Sequence, residues 1–157
     1  DTWLDDFFTR AVLDPDKHLG QEALIGQYAH GNEPSHHITW LYAFTDAPQK
    51  GHARVEEIVR RFYRDTPDGI VGNDDAGQMS AWLVFATLGF YPAQPARGEY
   101  VLGVPLVDRA TLRIGEKRLR IRRGGPSGAT LDGRKLSRTA VPHALVTAGG
   151  TLRIGPM

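Results

Sequence analysis

A chain of 157 residues that is 41% hydrophobic and 24% charged has the make-up of a soluble globular protein, with one ordinary domain or two small ones. A net charge of +1 supplies no global field for nucleic acid or an acidic membrane, and the absence of cysteine excludes disulfides and thiolate metal sites. No apolar run reaches the roughly 18 residues a membrane span needs, and no signal peptide is visible, although the chain opens at Asp1-Thr2-Trp3 without an initiator methionine.

From Thr2 to about Leu88 the apolar spacing is helical, interrupted by loops rich in Gly, Pro and Asp. Trp3, Leu4, Phe7, Phe8, Ala11 and Val12 recur at helical intervals until Pro15 stops them. Gly20, Gly26 and Gly31 make the stretch Glu22–Asn32 a loop. Pro34, well suited to a first helical position, starts a helix through Ile38, Leu41, Tyr42 and Ala43 that ends before Pro48. A further helix is predicted from about Lys50 to Tyr63, with Ala53, Val55, Ile58, Val59 and Phe62 inward and Arg54, Glu57, Arg60 and Arg61 on the wet side. Asp65-Thr66-Pro67-Asp68-Gly69 reads as a turn and Asn73–Gly77 as a loop. The next helix, about Gln78 to Leu88, is almost wholly apolar and is expected to be buried.

After Pro92 and Pro95 the period changes. Short runs at Tyr100–Leu102, Ala110–Ile114, Arg118–Ile121, Ala129–Leu131, Ala144–Val146 and Thr151–Ile154 are separated by turn residues, which predicts antiparallel β structure. The chain therefore reads as α+β, with a helical part over 1–92 and a β segment over 93–157. Ten of its nineteen basic residues lie between Arg109 and Arg138. They could form a polyanion-binding strip or the solvent face of strands carrying Leu112, Ile114, Leu119 and Ile121.

Two polar constellations stand out. Asn32, Glu33, His36 and His37 surround a helix start, where Asn and Glu offer the hard oxygens calcium prefers and where capping is the plainer role. Adjacent histidines point in different directions on a helix, so one is expected to meet ligand and the other to be structural; they lack the spacing of a zinc pair. Asp65 and Asp68 fit turn chemistry. Asp74 and Asp75, after Asn73 and just before an apolar helix, fit either a cap or the floor of a polar pocket. Trp40, Tyr42 and Trp82 could stack on a sugar, with core packing the default.

Gly31-Asn32-Glu33-Pro34-Ser35-His36-His37, Thr66-Pro67-Asp68-Gly69 and Gly72-Asn73-Asp74-Asp75-Ala76-Gly77-Gln78-Met79-Ser80-Ala81-Trp82 appear in an order that resembles the glycoside hydrolase family 92 α-mannosidases. Leu88-Gly89-Phe90-Tyr91-Pro92 and Gly98-Glu99-Tyr100-Val101-Leu102-Gly103 continue it, as do Leu131-Asp132-Gly133 and Gly149-Gly150-Thr151-Leu152 in the tail. The resemblance implies calcium-dependent, inverting exo-hydrolysis of terminal α-linked mannose, most often α-1,2. It also implies a fold in which an N-terminal β-sandwich accompanies an (α/α)6 barrel, this chain supplying the last helices of that barrel and short antiparallel strands after them.

By the same resemblance, Asp75 matches the general base, with Asp74 beside it as a second catalytic carboxylate or a support for the loop. Asn73 stands where some members carry another acid. Asn32 and Glu33 match the calcium-holding motif, and Glu33, His36 or His37 and Asn73 are expected to face the sugar. The partner acid belongs to a Trp-rich Glu motif absent here, expected upstream of Asp1, so the isolated chain is expected to be weakly active or inactive. Expected partners are mannose-containing oligosaccharides or N-glycans and the remaining N-terminal part of the enzyme, without nucleic acid. The family setting implies a secreted, periplasmic or cell-surface location. The alternatives are a noncatalytic mannose-binding module and a calcium-stabilised interaction domain.

Overall fold

A computed structural model describes residues 2–11, 23–136 and 139–156. Helix α1 (Thr2–Thr9) buries Leu4 and Phe8 and packs against a two-stranded hairpin, β1 (Leu24–Ile25) and β2 (Tyr28–Ala29), where a loop is predicted. The turn of that hairpin requires Gly26: its φ is +57°, and a Cβ there would lie 2.5 Å from the Phe8 carbonyl carbon. Val12 and Pro15 lie outside the described residues.

The helix expected from Pro34 is two 3-10 segments, Glu33–Ser35 and Ile38–Phe44, broken at His36 and His37. The local hydrogen bonds give the reason. The Ser35 hydroxyl donates to the carbonyls of Ala29 and Asn32, and the Trp40 N–H reaches only as far as the His37 carbonyl, three residues back. Helix α2 (Pro48–Phe62) follows as expected, burying Val55 and Ile58.

Helix α3 (Gln78–Leu88) has the predicted bounds and ends at Gly89, whose φ of +80° lets its N–H cap the carbonyls of Phe85 and Ala86. Its burial is one-sided. Met79, Trp82, Ala86 and Leu88 are enclosed, whereas Val84 is 55% exposed. A helix this apolar has little polar face to turn outward, and the described elements leave Ala81 and Val84 uncovered.

Strand β3 (Phe90–Tyr91), invisible as a two-residue element, pairs with β4 (Glu99–Leu102). Next come β5 (Arg109–Ile114), β6 (Lys117–Arg123), β7 (Ala129–Leu131), β8 (Arg134–Lys135) and β9 (Ala140–Pro142), which completes an antiparallel β3-β4-β9 sheet. The run Ala144–Val146 is not a strand. It lies in helix α4 (His143–Ala148), which Pro142 admits at its start and Gly149 stops; three apolar residues carry no period of their own, so these flanking signals decide. Strand β10 (Gly150–Ile154) then enters the middle of a five-stranded sheet ordered β5-β6-β10-β7-β8. Its pairing with β6 is parallel, so the sheet is mixed rather than purely antiparallel.

Two cores result. One gathers Phe8, Tyr28, Trp40, Tyr42, Ile58 and Trp82 among the helices. The other gathers Leu119, Ile121, Val146, Leu152 and Ile154 between the large sheet, α4 and the β3-β4-β9 sheet. Phe85 of α3 packs against both.

Candidate active site

The two polar motifs meet. Asn32 and Glu33 open the first 3-10 segment, and Asp74 to Gly77 form the loop before α3. The carboxyl groups of Glu33 and Asp75 come within hydrogen-bonding reach of each other. The bond to Glu33 raises the Asp75 pKa, with burial and the charges of Glu33 and Asp74 acting the same way. Glu33 is held below its ordinary value by the Asp75 bond and its own backbone.

Asp75 stands on unusual backbone. Asp75, Ala76 and Gly77 have φ of 44°, 56° and 93°, a left-handed run in which two residues carry a Cβ. Such strain persists where surrounding bonds over-determine the chain. Asp74 supplies them: its carbonyl accepts from the N–H groups of Gly77 and Met79, and its carboxylate accepts from the Ser80 N–H at 2.8 Å and the Ser80 hydroxyl at 3.0 Å. Asp74 thus ties the loop to the first turn of α3, while Asp75 is left to face Glu33. Asn73 is exposed beside them.

The two histidines part company, as adjacency demands. His37 is exposed, whereas His36 is 1% exposed and aimed inward. Its Nε2 lies 2.9 Å from the His30 carbonyl, which only accepts, so Nε2 carries the hydrogen. Nδ1 is then free to accept from the Gln78 amide at 3.3 Å. Burial lowers the His36 pKa, against a smaller raising effect of the carbonyl bond.

Beneath lies a hydrogen-bond chain that no periodicity announced. The Tyr63 hydroxyl donates to the Met79 carbonyl at 3.1 Å, so toward His30 Nε2, at 2.7 Å, it accepts. His30 is therefore protonated on Nε2, and its Nδ1 accepts from the Tyr28 hydroxyl at 2.8 Å. Burial, with the neighbouring His36, lowers the His30 pKa to about 3, so the ring is neutral. His30 stacks on His36 at 4.7 Å and meets Trp82 edge-on at 4.4 Å, and the Trp82 N–H donates to the His36 carbonyl. The network fastens the Glu33 segment and the start of α3 to one buried scaffold. His30, Tyr28 and Tyr63 are not singled out by the sequence, because His30 and Tyr28 sit in a glycine-rich stretch read as loop and Tyr63 closes a predicted helix outside its apolar face, while Gln78 appears there only as part of the longer motif. Trp40, Tyr42 and Trp82 are all core residues, and Asp65 and Asp68 lie in an exposed turn.

Glu33, Asp75 and Asn32 are hard-oxygen groups in one place, and the Asn32 side chain is not used as a cap. Two carboxylates in contact need either a shared proton or a cation. That fits part of a calcium shell; among the described residues no cluster of three or more acidic or histidine side chains completes it.

Residues 1–155 match the glycosyl hydrolase family 92 catalytic domain. The chain belongs to that family. Family 92 is also what the solved structures indicate. The family GH92 alpha-mannosidase BT3965 from Bacteroides thetaiotaomicron, in complex with mannoimidazole, superimposes with a TM-score of 0.88 at 34% identity, over 98% of this chain and 21% of that one. The family GH92 inverting mannosidase BT2199 of the same organism gives 0.77 at 28% identity, over 98% of this chain and 23% of that one. A curated relative, an uncharacterized secreted glycosidase of Arthroderma benhamiae, is 29% identical over 79% of this chain and 17% of its own length. The family 92 chain described here thus spans about a fifth of the length of these relatives.

Proposed function

We propose that this chain carries the water-activating half of an inverting, exo-acting α-mannosidase site. The observation that carries the reading is the meeting of Asp75 and Glu33 on a strained loop that Asp74 and the His30 network hold in place. The relatives named as mannosidases supply the substrate class.

In this reading Asp75 is the general base. Its neighbours raise its pKa, which makes the ionised carboxylate a stronger proton acceptor. Inversion requires a second carboxyl group about 6.5–9.5 Å away, to leave room for the water. Glu33 is in hydrogen-bond contact with Asp75 and is too close for that role, so the general acid comes from a segment outside this chain. Glu33 and Asn32 would hold calcium. Bound there, the ion would supply a template that orients sugar hydroxyls and favours a distorted ring. Asn73 and His37, both exposed at the site, face the sugar. His36, enclosed beneath it, orients Gln78. The surrounding architecture is the end of an (α/α)6 barrel, whose other helices cover the bare face of α3 at Val84. The natural substrates are terminal α-1,2-linked mannosides of N-glycans, met outside the cytoplasm, as the secreted relative suggests.

The test is fluoride release from α-mannosyl fluoride, which leaves with little protonic help, in calcium and then in EDTA. Wild-type release that is abolished in Asp75→Ala and suppressed by EDTA supports the reading. Undiminished release by Asp75→Ala in the enzyme at its relatives' full length would remove Asp75 from the mechanism.

A further inference from the structure

The open face of the five-stranded sheet is a lattice of arginines. In β6, Leu119 and Ile121 are enclosed, which turns Arg118, Arg120 and Arg122 outward. Pairing fixes what stands beside them: Arg113 opposite Arg118, Thr111 opposite Arg120 and Arg109 opposite Arg122 on β5, with Thr151 and Arg153 opposite Arg120 and Arg122 on β10. The register continues from Arg153 to Thr130 and from Thr130 to Lys135. One row therefore runs Arg109, Arg122, Arg153, Thr130, Lys135 across all five strands. At a strand spacing of about 4.8 Å it is roughly 19 Å long.

Several features mark this face as more than a wet surface. No Asp or Glu occurs in the five strands. Among the described residues, no ion pair involves a cation of this row. The acids nearest in sequence flank the strands, Asp108 before β5, Glu116 in the β5–β6 turn and Asp132 in the β7–β8 turn, and Asp132 accepts from the Thr151 N–H. Like charges directly opposite destabilise a sheet, yet Arg109–Arg122 and Arg113–Arg118 are such pairs and Arg153 adds a third neighbour. A cavity of about 340 Å³ opens between Arg109, Thr111, Arg120 and Arg122. Val146 of α4 packs with Leu119 and Ile121 on the opposite, apolar face of β6, and Arg109, Arg120, Arg122, Arg153 and Lys135 on this one are all exposed.

We propose that this face binds a sulfated polysaccharide, laid across the strands along the Arg109–Lys135 row. Charge complementarity requires a polyanion, and the preference for Arg over Lys suits tetrahedral oxyanions, which the guanidinium fork grips through two bonds. Only threonines interrupt the cations, and their hydroxyls match those of sugars. The face carries no aromatic ring on which a nucleobase could stack and no apolar side chain to enter a bilayer. The proposal is independent of the catalytic reading, since it uses none of the same residues.

The test titrates the purified protein with labelled dextran sulfate, neutral dextran, duplex DNA and phosphatidylglycerol-containing vesicles at several salt concentrations. The Arg109→Gln/Arg122→Gln/Arg153→Gln variant should weaken dextran sulfate binding tenfold or more and flatten the salt dependence by about one unit per charge removed. Neutral dextran should not bind, and Arg60→Gln/Arg61→Gln/Arg64→Gln, an equal charge loss elsewhere, should bind like wild type. Because the substituted residues are exposed and mutually repulsive, the face variant should keep its melting temperature. The matching triple lysine variant, which keeps the charge and loses the fork, should fall between the two. Absence of dextran sulfate binding at low salt, equal losses in both glutamine variants, or tighter binding of DNA or vesicles at matched charge would each overturn the proposal.

Discussion

Replacing Tyr63 by Phe tests the buried chain beneath the site. The substitution keeps the ring, which lies nearly parallel to Trp82 at 6.0 Å, and deletes one oxygen. That oxygen accepts from His30 Nε2 at 2.7 Å and donates to the Met79 carbonyl at 3.1 Å. His30 is fully enclosed, so its donor gains no water in exchange. A buried donor left unmade costs about 1–3 kcal/mol, and moving the proton to Nδ1 would instead set it against the Tyr28 hydroxyl hydrogen. The expected loss is about 2 kcal/mol, larger than the net worth of an ordinary hydrogen bond, about 1 kcal/mol. Urea unfolding followed by tryptophan fluorescence measures it, since Trp82 touches both His30 and Tyr63. Tyr28→Phe removes the other partner of the same ring, so the double variant should lose less than the sum of the two. A Tyr63→Phe midpoint within 0.5 kcal/mol of wild type, or strict additivity, would refute the assigned tautomer and the linkage through His30.

Acid should destabilise the fold through its buried imidazoles. Burial depresses the pKa of His30, His36 and His52, so the unfolded chain binds more protons than the folded one below an unfolded value of about 6.5. Stability is therefore complete above that pH and falls as pH drops, with His30 alone contributing a slope of about 1.4 kcal/mol per unit until about pH 3; a melting temperature flat from pH 7 to 4 would contradict this. Asp74→Ala should cost about 1 kcal/mol as a lost cap, whereas Asp74→Asn, still able to accept from the Ser80 N–H, should keep most of the stability and of the turnover. A turnover collapse in the Asn variant with stability intact would make Asp74 catalytic rather than a tie. Gly26→Ala forces a Cβ against the Phe8 carbonyl in left-handed backbone, so it should lower stability by more than about 1 kcal/mol and loosen α1, which calorimetry and proteolysis would show.

What the sequence made legible depended on whether a residue's role is local. Helix α3 has strong signals at both ends, a glycine-flanked loop before it and Gly89 after it, and its bounds match the expectation. The β5 and β6 strands alternate cleanly, and their outward arginines follow from period two alone. The parallel pairing of β10 with β6 could not be read that way, because it depends on where the chain returns after β7 to β9 and α4. The same limit applies at the site. Motif resemblance marks Asn32, Glu33, Asp74 and Asp75, but the contact of Glu33 with Asp75 is a fact of packing.

The packing in turn explains why two short motifs suffice. Each lies on irregular backbone, a 3-10 break on one side and a left-handed run on the other, which isolated chains rarely hold. Bonds to buried backbone carbonyls restrain both. Trp82 of α3 donates to the His36 carbonyl, Tyr63 at the end of α2 donates to the Met79 carbonyl, and His36 donates to the carbonyl of His30. Every one of these acceptors is a backbone carbonyl, so each bond fixes the course of the chain rather than the pose of a side chain. Two carboxyl groups can then be held together at the surface because the backbone on both sides is anchored to the buried His30, His36 and Trp82 beneath.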